Sequence, residues 1–239
     1  MGHTHTLLRS FTRSIAALAI AVVAPDARAA DEQATFWTTD EVRVAIGDFD
    51  GLDRAQVRRI VQRSMDAWNA TGAGPMLSID DDNVVDVAEH DGVNVLLFVD
   101  HGWGFDDEEL GRTLSTSVER TGEIVDADIV MNVEHYDFSI DEVAASFDLQ
   151  TVITHELGHL LGIRHLSDEE ATMFIRIDAK TTEKRELSAA DERALQDVYE
   201  GVELTSENGG CAQTTPSGAA SMSVLALALV AVRRRASRA

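Results

Sequence analysis

The stretch THELGHLLGIRH, residues 154–165, places three histidines and one glutamate close together in the chain. It lies within the segment FDLQTVITHELGHLLGI, whose apolar residues predict a helix. On a helix, His155 and His159 are four residues apart, so both imidazoles project from one face about one turn apart. Gly162 follows, where a positive φ would allow a sharp turn that brings His165 back toward them. The stretch therefore predicts three imidazoles that converge on one point.

Three converging imidazole nitrogens are a ligand set that suits Zn²⁺. With three protein ligands the fourth position stays open for water, which is the arrangement of a catalytic rather than a structural zinc site. Glu156 follows the first predicted ligand and is placed to accept a proton from that water. We therefore predict one catalytic zinc ion held by His155, His159 and His165, with Glu156 as the general base. The alternative, a core helix with incidental histidines, requires five residues at fixed offsets by chance.

The segments on either side of this helix predict an α+β domain. Apolar residues alternate in VRVAIGDF, as on the buried face of a strand, and VNVLLFV is mostly apolar, as in a central strand. RTLSTSVE and EIVDADIVMN predict two further strands joined by a turn at Thr121-Gly122. An N-cap at Asp53 and a capping box formed by Ser188 and Asp191 indicate two more helices. This order predicts one twisted sheet with about three helices packed against it.

The N-terminal residues 1–29 predict a secretory signal peptide. Arg9 and Arg13 precede an apolar run at residues 15–24, and Ala27-Arg28-Ala29 fits the small-x-small cleavage pattern. The run is too short to span a bilayer permanently, and the alternative for it is an internal core helix. We therefore expect the protein to be exported and to act at the cell surface or outside the cell.

The C-terminal region is equally patterned. Residues 204–218 are interpreted as a linker that contains the single cysteine, Cys211, and residues 219–239 predict an apolar helix followed by an arginine-rich end. This order resembles the tripartite sorting tags of some Gram-negative bacteria, most closely those of the myxobacterial type, and a simple tail anchor is the alternative. In both cases the tail is the only predicted membrane contact. The folded domain is then residues 30–203, which contain no cysteine and hence no disulfide.

The formal net charge of −22 argues against a nucleic-acid partner, since an acidic surface repels phosphate backbones. Acidic clusters could also bind a structural Ca²⁺. The candidates are Asp80, Asp81 and Asp82 in IDDDN, and Asp106 and Asp107 in FDDEEL. Neither follows an EF-hand loop, which needs acids at alternate positions, a central glycine and a distal glutamate. A solvated acidic surface is the alternative for both clusters.

With these residues in hand, the chain resembles the metzincin metallopeptidases, whose signature His-Glu-x-x-His-x-x-Gly-x-x-His matches residues 155–165. Among them it is most similar to the matrixins. Met173 in ATMFI lies where these enzymes have a methionine turn, LSAADERALQDVYEG resembles their C-terminal helix, and GEIVDADIVMN resembles the strands before the active-site helix. The resemblance covers roughly residues 37–201. It implies a mostly parallel sheet with the active-site helix below the cleft, and a structural role for Met173 beneath the zinc ion.

The chain departs from the matrixin pattern at several positions. Leu166 and Ser167 follow the last histidine, where matrixins tend to have serine at once. Phe174 and Ile175 follow Met173, where tyrosine and proline are common, so the preference for the residue after the scissile bond stays open. No cysteine precedes the domain, so latency through a cysteine switch is not expected.

Vertebrate matrixins hold a second, structural zinc ion, and two histidines here are possible remnants of that site. His101 and His135 lie in the right part of the chain, but the matching strands offer threonine and isoleucine. We therefore expect surface histidines at these two positions and at His90.

We predict a zinc metalloendopeptidase, a hydrolase acting on protein or peptide substrates through a monomeric catalytic domain. An extended substrate is expected to pair with an edge strand, Thr113 to Val118, while Glu156 accepts the water proton and passes it to the leaving amine. Two alternatives stay open: a zinc-binding surface interaction module without turnover, and a zinc amidase acting on a non-protein substrate. Peptide cleavage separates the enzymes from the module, and product analysis separates the two enzymes.

Overall fold

The computed structural model describes residues 33–47, 53–83, 85, 87–140, 146–206 and 222–223. The predicted signal peptide and nearly all of the predicted C-terminal tail lie outside these residues. Within them, no helix has both the length and the apolar character needed to cross a membrane.

A mixed sheet and three α-helices make up the described part of the chain. The main sheet contains β1 (Glu41–Ile46), β2 (Met76–Asp80), β3 (Asn94–Val99), β4 (Gly111–Val118), β5 (Ile124–Asn132) and β8 (Met222–Ser223). Two short strands, β6 (Phe138–Ser139) and β7 (Phe147–Asp148), pair separately. The helices are α1 (Arg54–Asn69), α2 (Leu149–Leu160) and α3 (Ala189–Tyr199).

The main sheet is mostly parallel, with the strand order β2-β1-β3-β5-β4-β8. β1 pairs in parallel with β2 and β3, and β3 pairs in parallel with β5. β4 is antiparallel to β5 and joined to it through Gly122, whose φ of 78° permits the tight turn. On its other side β4 pairs with β8 over two residues, and these two residues form a strand where an apolar helix was expected. The predicted α+β class with a mostly parallel sheet is confirmed.

Local signals account for most of these elements. All six residues of β3 are buried, as expected of a central strand with both faces covered. Asp53 caps α1 with its side chain, and Ser188 and Asp191 form the predicted capping box of α3. β2 was not predicted, because in MLSID only Leu77 and Asp80 are buried while Met76 is 61% exposed. This edge strand therefore has no alternation of apolar residues for a sequence pattern to detect.

The core lies on both faces of the sheet. The larger cluster packs the three helices against one face and includes Trp68 of α1 and Leu157 of α2. A smaller cluster on the other face is covered by Trp103, from the segment between β3 and β4. Because α2 packs in the larger cluster, its position relative to the sheet is fixed by the core.

Two buried aspartates on β5 hold the segment that leads into β3. Asp126 accepts the N–H of Gly92 and Asp128 accepts the N–H of Val95, both at 2.9 Å. Each residue is only 2% exposed. Burial, with a smaller contribution from the charge of Asp126, raises the pKa of Asp128 to about 8. Asp128 is therefore protonated in the folded protein at pH values where it is ionised in the unfolded chain.

We expect the free energy of unfolding to fall less steeply in Asp128→Asn than in the wild type as the pH rises toward 8. Because the folded-state pKa is raised, the stabilisation is complete below the ordinary pKa of 3.8 and is lost as the pH rises through about 8. Within that window one proton is bound on folding, which gives a slope of about −1.4 kcal/mol per pH unit in the free energy of unfolding. Asparagine never ionises and keeps an oxygen for the Val95 N–H, so it removes this slope.

Urea unfolding at several pH values between about 5 and 8 measures the two slopes. The exposed Asp197→Asn serves as the control for the loss of one carboxylate, and it should leave the slope unchanged. Equal slopes in the wild type and Asp128→Asn would contradict the prediction.

Candidate metal centre

Helix α2 carries two of the predicted ligands and is held at its start by a buried carboxylate. Asp148 accepts hydrogen bonds from the N–H and Oγ1 of Thr151, both at 2.9 Å. This cap begins the helix at Leu149. The same carboxylate lies 2.9 Å from Nε and 2.6 Å from Nη2 of Arg185. The start of α2 is therefore tied to the segment that precedes α3.

The other end of α2 is a turn that returns the chain toward the helix. Gly162 has a φ of 91°, and its N–H bonds to the carbonyl of His159 while the N–H of Ile163 bonds to the carbonyl of Gly158. These two bonds form a Schellman motif, which needs the left-handed conformation that glycine adopts without strain. A Cβ at position 162 would also lie 2.0 Å from the carbonyl oxygen of Thr35. Any larger residue would therefore disturb this turn.

Two aromatic side chains hold the last turn of α2 in place. Trp37 Nε1 donates to the carbonyl of Leu160 at 2.8 Å, and the Tyr199 hydroxyl donates to the carbonyl of Leu161 at 3.1 Å. A helix end normally leaves its last carbonyls without intrahelical partners. With the two bonds of the turn, the carbonyls of residues 158–161 all have donors. The chain that follows is thus positioned by the core.

The three histidines meet beside this turn. Their ligand atoms all lie within 4.8 Å of one another. Nε2 of His165 is 3.3 Å from Nε2 of His155 and 3.1 Å from Nε2 of His159. Nitrogens bound tetrahedrally to zinc at about 2.05 Å are about 3.3 Å apart, so this donor set fits one zinc ion. Among the residues that the structure describes, it is the one group of three or more potential metal ligands.

Backbone carbonyls orient two of the three rings. Nδ1 of His155 lies 2.7 Å from the carbonyl oxygen of Thr172, and Nδ1 of His159 lies 2.8 Å from that of Ile163. Each Nδ1 therefore carries a proton, which leaves the Nε2 lone pair free to bind a metal. Burial lowers the pKa of His155, that of His159 to about 4, and that of His165. All three imidazoles are neutral near pH 7, which is the form that binds a metal.

Glu156 lies beside these rings with its side chain against β4. Oγ1 of Thr113 is 2.8 Å from Oε2 of Glu156 and 3.0 Å from its backbone carbonyl, and the hydroxyl donates to one of the two. Burial raises the pKa of Glu156 to about 7, against the opposing effect of the Thr113 hydrogen bond. No donor from the described ranges bonds to Oε1. This carboxylate can therefore both accept and release a proton near neutral pH.

A cleft of about 560 Å³ runs between β4 and the histidines. Segments 111–113, 162–165 and 175–177 line it, together with Glu156 and the two histidines of α2. Val152, Ile175 and Ile177 contribute apolar surface, whereas the segment before β4 contributes charged side chains. A cleft of this volume has room for an apolar side chain next to the histidines.

Met173 packs directly beneath α2 and is fully buried. A Cβ added at Gly158 would lie 2.2 Å from Sδ of Met173. The close contact between the helix and this side chain therefore requires glycine at position 158. The N–H groups of Thr172 and Met173 both bond to the Asp191 carboxylate at 2.9 Å. Asp191 of α3 therefore fixes the turn whose Thr172 carbonyl orients the ring of His155.

Residues 36–200 of the chain match the family described as Matrixin. The chain belongs to the matrixin family. It is 28% identical over 169 residues to Metalloendoproteinase 1-MMP of Arabidopsis thaliana, an alignment that covers 68% of this chain and 44% of that protein. It is 46% identical over 48 residues to Matrilysin of Felis catus, which covers 20% of this chain and 18% of that protein. This matrixin thus aligns with less than half the length of either relative.

The other histidines considered for a second zinc lie apart from the metal centre of this matrixin. Nδ1 of His101 is 2.5 Å from Oδ1 of Asp100, and Nδ1 of His135 is 3.1 Å from Oδ1 of Asn132. Nδ1 of His90 is 3.9 Å from a carboxylate oxygen of β5. All three histidines are exposed, and none of them joins a group of three potential ligands among the described residues.

The first acidic cluster considered for calcium is paired with arginines. Asp80 and Asp82 lie 2.8 and 2.9 Å from Nη2 of Arg43, and Asp81 lies 2.6 Å from Nη1 of Arg58. These guanidinium groups supply the positive charge that a cation would otherwise provide. Neither this cluster nor the second one forms a group of three potential ligands within the described ranges. The prediction of a calcium site therefore finds no support in this matrixin.

Three residues at the matrixin site were not assigned to it from the sequence. Thr113 was expected only as part of an edge strand, and Asp191 only as part of a capping box. Thr172 acts through its backbone carbonyl, which no side-chain pattern reveals. The position of Thr113 at the start of the predicted edge strand was the one available signal, because a strand expected to bind substrate would pass close to the expected general base.

Proposed function

We propose that this matrixin is a zinc-dependent endopeptidase in which His155, His159 and His165 bind the metal and Glu156 is the general base. The observation that carries the proposal is the convergence of three Nε2 atoms, two of them 3.1 and 3.3 Å from the third, beside a buried carboxylate in an open cleft. Membership of the family and similarity to proteins named as metalloendoproteinases support it.

Zinc bound by these three histidines would supply a Lewis acid that polarises a carbonyl oxygen and makes water easier to deprotonate near pH 7. Glu156 handles the proton. Oε1 accepts it from the attacking water while Oε2 is held by the Thr113 hydroxyl. The carboxyl group then gives the proton to the leaving amine nitrogen as the peptide C–N bond breaks. Burial raises the pKa of Glu156 above that of an ordinary carboxyl group in the metal-free protein, which favours uptake of a proton.

The outer edge of β4 positions the substrate in this proposal. Residues 111–116 have no strand partner on that side within the described ranges, so an extended peptide can add to the sheet there through main-chain hydrogen bonds. Val152, Ile175 and Ile177 then favour an apolar side chain next to the scissile bond over a charged one. Met173 supports the site from beneath as a structural residue, and Gly162 allows the turn that brings His165 into place.

The same proposal places the protease at the cell surface or outside the cell. Residues 1–29 are removed as a signal peptide on export, and residues 30–203 form a monomeric catalytic domain. Residues 204–218 are a linker with Cys211, and residues 219–239 serve as a sorting signal or membrane anchor. The signals that support this assignment are the charged-apolar-small order at one end and the apolar segment with its arginine cluster at the other.

The test uses the full chain, loaded with zinc and incubated with a mixed peptide library whose products are identified by mass spectrometry. We expect one zinc ion per chain, and cleavage that a chelator abolishes and added zinc restores. His159→Ala should lower both zinc affinity and cleavage by more than about 10²-fold, since it removes a ligand itself. The matched control is His101→Ala, which changes an exposed histidine and should lower neither.

Zinc bound at one equivalent without cleavage of any peptide would overturn the endopeptidase proposal. Such a result would favour the surface interaction module. Hydrolysis confined to non-protein amides would instead favour the zinc amidase, because the same activated water attacks any accessible amide carbonyl.

A further inference from the structure

The outer edge of β4 is an unprotected strand edge next to Glu156. β5 pairs with the inner edge of β4 from Gly111 to Ser117. On the outer edge, the described residues provide a partner for Ser117 and Val118 alone. Exposed edges pair readily with an extended chain, and folded proteins usually protect or cover them. Something is therefore expected to occupy this edge when no substrate is bound.

The strand that begins to cover the edge comes from the C-terminal region of the same chain. β8 pairs in antiparallel fashion, with Ser223 opposite Ser117 and Met222 opposite Val118. In an antiparallel pair each step forward on one strand is a step back on the other. A strand that continued this pairing beyond Ser223 would therefore run toward Thr113, the residue whose hydroxyl contacts Glu156.

We propose that the segment from Met222 to about Leu227 binds along the outer edge of β4 and occupies the position of the substrate. Continuing the register of β8 would bring Leu225 opposite Ser115 and Leu227 opposite Thr113. The proposal rests on the proposed function, in which this same edge binds the peptide to be cut. The surface is the edge of β4, and its occupant is the chain's own apolar segment.

The composition and connection of the segment suit this role. SVLALAL carries no charge, so it brings no like charge toward the glutamates that line the cleft before β4. Its leucines offer apolar side chains to a cleft that contains Val152, Ile175 and Ile177. Residues 207–221 connect it to the catalytic domain, and a tether of this length gives an effective concentration on the order of millimolar. A weak strand pairing is then sufficient to compete with a peptide substrate.

The consequence is a protease restrained by its own C-terminal segment. Other peptides reach β4 only after the segment has left the edge. Removal of the tail, or its uptake into a membrane, would release the edge and raise activity toward substrates in solution. The segment thereby links the location of the protein to the accessibility of its cleft.

The experiment compares the full chain with a variant that carries Ser223→Pro and Val224→Pro. Successive N–H groups of a strand point to opposite sides, so replacing two adjacent residues removes the one that faces β4. The matched control carries Ala212→Pro and Gln213→Pro in the linker. Hydrogen exchange of the peptide spanning residues 111–118 is measured in a Glu156→Gln background, which prevents self-cleavage, and initial rates on a short peptide are measured in chains with Glu156 intact.

We expect residues 111–118 to exchange at least about tenfold faster in the Ser223→Pro, Val224→Pro chain, and its initial rate to rise severalfold, with no change in the control. Equal exchange in all three proteins would overturn the proposal, whatever their activity. Faster exchange in the variant, with no peptide cut by any protein, would support the pairing while overturning the proposed endopeptidase. Equal zinc binding and equal near-UV circular dichroism establish that the substitutions leave the catalytic domain folded.

Discussion

Replacing Glu156 with glutamine is expected to lower the rate of peptide hydrolysis by about 10²- to 10⁴-fold while zinc stays bound. Glutamine has nearly the same shape and keeps an oxygen that can accept the Thr113 hydroxyl, so the packing against β4 is retained. It cannot accept a proton from water or pass one to the leaving amine. The loss should therefore fall on kcat, with little change in KM, because the missing interaction is made in the transition state.

The measurement is a comparison of initial rates and of zinc content in the wild type, Glu156→Gln and the control Glu192→Gln. Glu192 is exposed on α3, so its replacement removes a carboxylate without touching the cleft. We expect Glu192→Gln to match the wild type in both readouts. Retention of more than about a tenth of the activity by Glu156→Gln, at full zinc content, would show that another group accepts the proton.

Replacing Asp191 with alanine is expected to lower the free energy of unfolding by about 3–5 kcal/mol. The fully buried carboxylate accepts hydrogen bonds from the N–H groups of Thr172 and Met173 at 2.9 Å. It also accepts hydrogen bonds from the N–H and the hydroxyl of Ser188, both at 2.8 Å. Alanine leaves the N–H groups of Thr172 and Met173 unpaired in the interior, and each buried unpaired donor costs about 1–3 kcal/mol. The effect should exceed that of an ordinary helix cap because the same carboxylate also holds the turn at Met173.

The same substitution should weaken zinc binding by about 10- to 100-fold, although Asp191 does not contact the histidines. The Thr172 carbonyl orients His155 through a 2.7 Å hydrogen bond, and that carbonyl belongs to the turn that Asp191 fixes. Urea unfolding of the metal-free protein and competition with a zinc-binding dye measure the two effects separately. Asp197→Ala, at an exposed position of α3, is the control. Loss of stability without loss of zinc affinity would contradict the positioning role.

Several features of the fold follow from short-range patterns. The caps at Asp53 and at Ser188 with Asp191 could be predicted, because a capping side chain lies within three residues of the N–H groups that it satisfies. The central position of β3 followed from its mostly apolar run. β2 and β8 could not be predicted in this way, since their pairing depends on neighbouring strands rather than on a pattern of their own.

The sequence by itself determined the zinc motif, since the offset between His155 and His159 is a property of any helix and the turn at Gly162 needs only a residue that tolerates a positive φ. Tertiary structure alone decided what surrounds that motif. Thr113 reaches Glu156 from β4, and Asp191 reaches the Met173 turn from α3. These contacts join residues far apart in the chain, and their distances depend on how the sheet and helices pack together. No fixed sequence offset encodes such packing, whereas helix geometry repeats with the same period wherever a helix forms.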